Sequence, residues 1–318
     1  MTLEAFDTRP KASRNKLNVL PVNPDEADPT KAVGPGRFPS WLHRKLPKGE
    51  ALWQTGKVLD QKRLHTVCEE AKCPNLLECW SKKTATFLVL GKECTRNCGF
   101  CDIDFSKAPK APEPDEPERI AESVEILGLK HVVITMVARD DLEDRGAAHL
   151  AAIMQAIRKR CPKAAIELLT SDFSGKQEAL DIILAAKPEV FNHNIETVER
   201  LTPRVRHVAT YKRSLEVLKY MREKGSPSLH VKSGMMVGLG ESEEEIFQTI
   251  DDLKDAGVNI ITIGQYLQAS KIKLRVKAFI TPEQFTRYEE YGHAIGIKQM
   301  FCGPFVRSSY SAGELLKT

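Results

Sequence analysis

Six of the eight cysteines in this chain fall into two triplets. One, Cys94-Thr95-Arg96-Asn97-Cys98-Gly99-Phe100-Cys101, has the spacing C-x3-C-x2-C. Three thiolates on so short a loop can hold three corners of a [4Fe–4S] cube, a common home for cysteine ligands. The fourth iron then stays open to an outside ligand, whereas an electron-transfer cluster takes a fourth cysteine. The other triplet is Cys68, Cys73 and Cys79, spaced C-x4-C-x5-C. A structural zinc ion is the plain alternative at both, because zinc also takes four soft ligands. That alternative is stronger at Cys68/Cys73/Cys79, where nearby His65 could be the fourth ligand.

Such chemistry needs thiolates, hence a reducing compartment. Residues Met1 to Pro10 hold no apolar core of a secretory signal, and Glu4 and Asp7 argue against a transit peptide, so a cytoplasmic location is expected. Hydrophobic residues make up 42% and charged residues 28% of the chain, the balance of a compact soluble enzyme. No apolar run approaches the ~18 residues of a membrane span. The net charge of +4 is scattered, which excludes a basic nucleic-acid stripe but tolerates an acidic protein partner.

The elements that must position the cysteines follow from periodicity. Residues 1–48 read as an extended arm that docks on the body near Phe38-Pro39-Ser40-Trp41-Leu42, and residues 49–83 as a short region carrying the first triplet. From 84 the chain alternates apolar strands with amphipathic helices. Strands are expected around Phe87 to Leu90, Val132 to Met136, Ile166 to Leu169, Val190 to Ile195, Leu229 to Val237 and Asn259 to Leu267. Helix faces are expected at Ile120/Val124/Leu127, Leu150/Ile153/Met154/Ile157, Leu180/Ile183/Leu184 and Ile246/Ile250/Leu253. Six βα units imply parallel strands with right-handed crossovers, in a doubly wound sheet or an incomplete barrel. In either, the chemistry belongs at the carboxyl ends of the strands. The second triplet directly follows the first of them.

With an aromatic residue, Phe100, just before its last cysteine, the C-x3-C-x2-C loop resembles that of the radical S-adenosylmethionine (radical SAM) superfamily. Both triplets together with Cys302-Gly-Pro-Phe-Val-Arg307-Ser308-Ser309-Tyr310-Ser311-Ala312 are similar to the lipoyl synthase family, whose terminal signature is R-S-S-Y-x-A. The likeness runs from Trp41 onward. It includes Arg139-Asp140-Asp141-Leu142, Phe191-Asn192-His193-Asn194-Ile195-Glu196, Met235 to Glu241, and Gln265-Tyr266-Leu267-Gln268.

The resemblance implies an incomplete (β/α)6 TIM-type barrel over 84–280, an N-terminal auxiliary-cluster extension and a short C-terminal extension over 281–318. It implies a sulfurtransferase that inserts two sulfur atoms at C6 and C8 of an octanoyl group linked to a lysine of a lipoyl-carrier domain. Cys94, Cys98 and Cys101 would hold the [4Fe–4S] cluster that cleaves S-adenosylmethionine. Cys68, Cys73 and Cys79 would hold an auxiliary [4Fe–4S] cluster, the sacrificed sulfur donor, with Ser309 (alternatively Ser308) on its fourth iron. A serine oxygen is a hard donor among soft thiolates and so the easiest ligand to displace. Phe100, Asn192, Asn194, Gly238, Gly240 and Glu241 would meet S-adenosylmethionine, and Arg139, Asp140, Asp141 and Arg307 the substrate. The plain reading of Gly238 to Glu241 is a strand-to-helix turn, and that of Arg139 to Asp141 a solvated loop or helix cap. Implied partners are octanoylated E2 lipoyl domains or glycine cleavage H protein, a low-potential ferredoxin or flavodoxin, and an iron–sulfur cluster carrier.

Arg145, Ala269, Lys273 and Arg275 stand where the family pattern has Gly, Pro, His and Pro, departures that bear on substrate positioning and not on the clusters. Cys161 reads as a buried apolar helix residue, and Cys302 as packed beside the auxiliary site. The competing readings are another radical sulfur-inserting enzyme, similar to biotin synthase, and a zinc-stabilised interaction module.

Overall fold

The computed structural model describes residues 38–43, 56–59, 61–81 and 86–309. Most of the arm over 1–48 lies outside them, as do Tyr310, Ser311 and Ala312. Where the arm is described, Leu42 is buried and the Phe38 ring lies 5.5 Å from that of Phe279, so it docks at the expected place.

The strands are β1 (His65–Thr66), β2 (Thr86–Val89), β3 (Glu93–Cys94), β4 (Asp104–Phe105), β5 (His131–Met136), β6 (Ala165–Leu169), β7 (Val190–Asn192), β8 (His230–Val237), β9 (Ile260–Gln265) and β10 (Gln299–Gly303). The longer helices are α1 (Glu116–Leu127), α2 (Ala147–Arg160), α3 (Gln177–Ala186), α4 (Tyr211–Lys224), α5 (Glu243–Asp255) and α6 (Pro282–Ala294). Their expected stripes face inward: Ile120 and Val124 on α1, Leu150, Ile153, Met154 and Ile157 on α2, Ile246, Ile250 and Leu253 on α5 are all buried. Local chemistry sets the boundaries. Gly128 ends α1 in the left-handed conformation, and Ser242/Glu245 and Thr281/Gln284 form capping boxes that start α5 and α6.

The large sheet runs β1-β2-β5-β6-β7-β8-β9-β10, and from β2 to β10 every pairing is parallel. These strands neighbour one another in chain order without reversal, so the winding is that of a barrel and not of a doubly wound sheet, which has a switch point. Val133 on β5 and Ile260 on β9 share one cluster with Phe301 on β10, which requires the sheet to curl around an interior. Strand β1 adds antiparallel to β2, and β10 is hydrogen-bonded to β9 alone among the described strands, so the barrel stays open.

One feature differs from the expected count. Segment 281–318, read as an extension, contributes α6 and a seventh parallel strand, β10. This strand is only partly buried, apart from Met300, so it lacks the continuous apolar run that marks a central strand.

Candidate functional site

The loop leaving β2 carries Cys94, Cys98 and Cys101, and its base is closed by β3 and β4, which pair Cys94 with Phe105. A buried arginine inside the loop anchors it. Arg96 meets Asp140 through Nε at 2.7 Å and Nη2 at 2.8 Å, and Asp172 at 2.7 Å. Asp140 also accepts from Thr95 Oγ1 at 3.0 Å and Ser174 Oγ at 2.9 Å, while Asp172 pairs with Arg213 at 2.6 Å. Burial would raise the Asp140 carboxyl, but the hydrogen bonds and charge of Arg96 outweigh it and hold it at about 2. The loop is therefore tied to the barrel by ions that stay charged.

Burial pushes the Cys101 thiol up to about 12, and neighbouring Cys98 and Cys94 add to the shift. Burial likewise raises Cys94 and Cys98, against backbone N–H donors from Arg96 (3.3 Å to Cys94 Sγ) and His207 (3.4 Å to Cys98 Sγ). Cys98 and Cys101 resist ionisation partly because other thiols of the loop lie near them, and such a donor set has the chemistry to suit a multivalent soft cation.

The first triplet lies on two short helices and the turn between them. Cys68 sits on a short helix, Val67–Glu70, capped by Thr66, and Cys79 on Leu76–Ser81. The turn between them is closed by Cys73 N–H to Cys68 O at 3.0 Å and Cys79 N–H to Asn75 O at 2.9 Å. Burial, with Cys73 next and Cys79 adding, raises Cys68 to about 12. His65 Nδ1 lies 3.2 Å from Glu70 Oε1.

The triplets are linked through one carboxylate. Asp102, next to Cys101, accepts from Lys72 Nζ at 2.5 Å, beside Cys73, and from Ser270 Oγ at 2.6 Å, on the loop after β9.

Residues 303–309 form a strap laid over the carboxyl ends of β8 and β9. Asn75 Nδ2 donates to Phe305 O at 2.7 Å, tying the strap to the first triplet. Ser308 Oγ donates to Asn194 Oδ1 at 2.8 Å, tying it to the end of β7. Two glycines make room for it. A Cβ on Gly264 would lie 2.1 Å from Val306 O, and one on Gly234 2.5 Å from Thr262 Oγ1 and 2.9 Å from Ser308 Oγ. Ser309 is half-buried beside this latch and has no hydrogen bond of its own among the described residues.

Below the strap the interior is polar. Glu167 accepts from Lys232 Nζ and Asn192 Nδ2, both at 2.9 Å, and lies 3.2 Å from His131 Nε2. Burial opposes its charge, but Lys232 and His131 outweigh that and keep Glu167 at about 2. Asn192 is wholly buried and its Oδ1 has no partner, an orphaned acceptor inside the barrel that a polar ligand would satisfy.

Asn192 and Asn194 thus both face the interior, as alternate residues do. Phe100 packs, half-buried, on the core beside the cysteines. At the Gly238–Glu241 bend, Gly238 has φ +99° and a Cβ there would lie 2.4 Å from Ala278 O, so glycine is required. The Glu241 carboxylate folds back onto the N–H groups of Gly238 and Leu239, as a strand-to-helix turn does. Arg139 has a different task from the substrate contact expected of it. It is buried, bonded to both oxygens of Asp141 (2.8 and 2.7 Å) and to Leu90 O (3.1 Å), so it braces the loop after β5, while Asp141 stays exposed. Asp140 serves Arg96 in the same way. Arg307 donates to Val306 O at 2.6 Å within the strap. Cys302 faces away from the triplets, its thiol raised by burial and by Glu289 of α6, while Cys161 is the half-buried C-cap of α2 and not a buried helix residue. Arg145 takes φ 58°, the conformation glycine favours, and its Nη1 donates to Asp140 O at 2.9 Å.

Sequence reasoning missed Arg96, Asp172, the Lys72–Asp102 link and the Glu167–Lys232 pair. An arginine within a cysteine loop is a visible signal for Arg96. The others acquire meaning only from partners distant in sequence.

A family model described as the radical SAM superfamily matches residues 88–253. The chain is 63% identical to a lipoyl synthase of Protochlamydia amoebophila, over 98% of this chain and 96% of that protein. It is 53% identical to a lipoyl synthase of Chlamydia muridarum, over 93% and 95%. Among solved structures, the FeFe-hydrogenase maturase HydG from Carboxydothermus hydrogenoformans superposes with a TM-score of 0.51 at 14% identity, covering 85% of this chain and 72% of HydG. Streptococcus suis SuiB bound to precursor peptide SuiA does so with 0.51 at 15% identity, covering 68% and 48%. These two likenesses speak to the fold alone.

Proposed function

The chain belongs to the lipoyl synthases of the radical SAM superfamily, and we propose from that premise a division of labour between its two cysteine triplets. The enzyme inserts sulfur at C6 and C8 of an octanoyl group carried on a lysine of a lipoyl-carrier domain, and its cofactors are S-adenosylmethionine and two [4Fe–4S] clusters. Cys94, Cys98 and Cys101 hold the cluster that meets S-adenosylmethionine. Cys68, Cys73 and Cys79, with Ser309, hold the cluster that is consumed. When bound, the first cluster and S-adenosylmethionine supply a radical able to remove hydrogen from unactivated carbon, and the second supplies sulfur.

The chain's own residues give this chemistry its geometry. Arg96, Asp140 and Asp172 hold the first cysteine loop rigid, and Lys72 and Asp102 fix its distance from the second. The observation that carries the assignment is the strap: one stretch of chain is bonded to the first triplet at Asn75 and to the barrel interior at Asn194. Ser308 is engaged by Asn194, which supports Ser309 as the displaceable fourth ligand. Asn192 and Asn194 offer polar contacts to S-adenosylmethionine or substrate, and Phe100, Gly238, Gly240 and Glu241 shape the surrounding wall. The auxiliary region, the barrel and the strap all contribute to this single site.

Octanoylated E2 lipoyl domains or glycine cleavage H protein would be the carriers, with a ferredoxin or flavodoxin as reductant and a cluster carrier for repair. All eight cysteines are free thiols, which supports a cytoplasmic setting. No described helix is long and apolar enough to cross a membrane. Anaerobically reconstituted protein should bind about eight irons per chain, two cubes of four, and convert an octanoylated carrier to its lipoylated form by mass spectrometry. Four irons with no sulfur inserted would defeat the reading, and a thiolated small molecule as the only product would favour a different sulfur-inserting enzyme.

A further inference from the structure

Three loops pack around Cys98 and Cys101, and together they present an exposed face that the site's chemistry does not use. Gly99 N–H donates to Val205 O and Gly99 O accepts from Leu274 N–H, both at 2.9 Å, so loops 97–105, 204–208 and 270–277 form one surface. Of six exposed large apolar side chains among the described residues, three stand on these loops: Phe105, Val208 and Ile272, the last 88% exposed. Clustered exposure of this kind marks an interaction site more often than chance. Phe105 and His207 meet edge to face at 6.5 Å.

Cations stand on the same loops. Arg204, Lys271, Arg275 and Lys277 are exposed, and none is ion-paired with another described residue. Arg204, Arg275 and Lys277 line one cleft. The acids nearby are Asp104, exposed on β4, and Asp102, which is already neutralised by Lys72. The face thus combines exposed apolar side chains with unpaired cations on the same three loops.

Its backbone leads straight to the cysteines. His207 N–H donates to Cys98 Sγ at 3.4 Å, and Phe105 stands opposite Cys94 in the β3–β4 pair. We propose that this face docks an acidic one-electron donor protein, one carrying a flavin or an iron–sulfur centre. The inference rests on the assignment of Cys94, Cys98 and Cys101 to the radical cluster. One electron leaves the donor's centre and enters that cluster, the donor being oxidised and the cluster reduced by one electron, with no bond made or broken between the proteins. A carrier domain is the other candidate occupant. It must deliver an acyl chain to the interior at Asn192, whereas Phe105, His207 and Val208 back onto the cysteine-bearing chain itself.

The test uses the anaerobic holoenzyme and two double variants, Val208→Glu/Arg204→Glu and Ile272→Glu/Lys271→Glu, each checked for unchanged iron content. Reduced flavodoxin is the probe. Wild-type protein should bind it in a salt-sensitive manner, and both variants should bind it about tenfold or more weakly, through lost steering and lost contacts on this face. Cluster reduction by flavodoxin, followed by loss of visible absorption without S-adenosylmethionine present, should slow in parallel. Turnover driven by dithionite should not change. Unaltered flavodoxin binding and reduction in the variants would overturn the proposal. So would dithionite-driven turnover that falls with a raised KM for the octanoylated carrier, which would assign the face to the carrier. Failure of wild-type enzyme to insert sulfur even with dithionite would count against the proposed function and not against the docking face.

Discussion

Ser308 and Ser309 are neighbours of identical chemistry, and their surroundings give them different work. Ser308 is fixed by its bond to Asn194 in a niche that Gly234 keeps open, and the proposed function gives the hydroxyl of Ser309 to a metal. Hence Cys79→Ala and Ser309→Ala should spare S-adenosylmethionine cleavage and abolish sulfur insertion, whereas Cys101→Ala should abolish cleavage itself. Counting 5′-deoxyadenosine against lipoylated product measures the split, and equal loss of both in all three variants would remove it. The six cysteines could be proposed as cluster ligands from sequence because thiolate spacing on a local loop is itself the chemistry. Arg139 could not, since whether a guanidinium meets a substrate or a neighbouring carboxylate depends on which way the loop after β5 turns.

At the scale of elements, the loop bearing Cys94 to Cys101 is held by buried charge, and removing one partner from such a network is expensive. Asp172→Asn leaves Arg96 and Arg213 sharing one fewer anion, so it should cost on the order of 3–5 kcal/mol. Thermal unfolding and iron analysis check this: the melting point should fall and the radical cluster should be lost before the auxiliary one. The end of β7 supplies a pH effect. His193 is buried between Thr170 O and Ser214 Oγ, both at 2.9 Å, and burial, with Arg206, lowers it from 6.5 to about 4. The unfolded chain then takes up the proton first as pH falls. Stability should be intact above pH 6.5 and drop as pH goes from there to 4, by on the order of 3 kcal/mol in all. Denaturant midpoints at pH 7 and 5 should differ in wild type and converge in His193→Gln. The helix stripes and most strands were legible from periodicity, but β10 was not counted with the parallel strands, because a half-exposed strand carries little apolar signal.

Across the whole molecule, parallel strands in chain order bring their carboxyl ends to one mouth, and the strap crosses that mouth over Gly234 and Gly264. Gly264→Ala would set a methyl against the carbonyl of Val306, a backbone atom with no rotamer to yield. It should dislodge the strap, raise the 5′-deoxyadenosine formed per product severalfold and expose residues 303–309 to protease. Unchanged coupling and protease resistance would argue against the strap's role. The sequence indicated, through the resemblance of the signature residues, that the far end of the chain folds back toward the first triplet. It did not indicate Asn75 or the two glycines, because a close approach is a property of paired surfaces.

The bond from Asn75 to Phe305 spans 230 residues. During synthesis at 5–20 residues per second, roughly 10–50 s pass between the emergence of its two partners. Through that interval the first cysteine triplet is out of the ribosome with no strap to cover it and no serine to complete it. Loading of the consumable cluster is in this sense an event of maturation, timed by the polypeptide's own length.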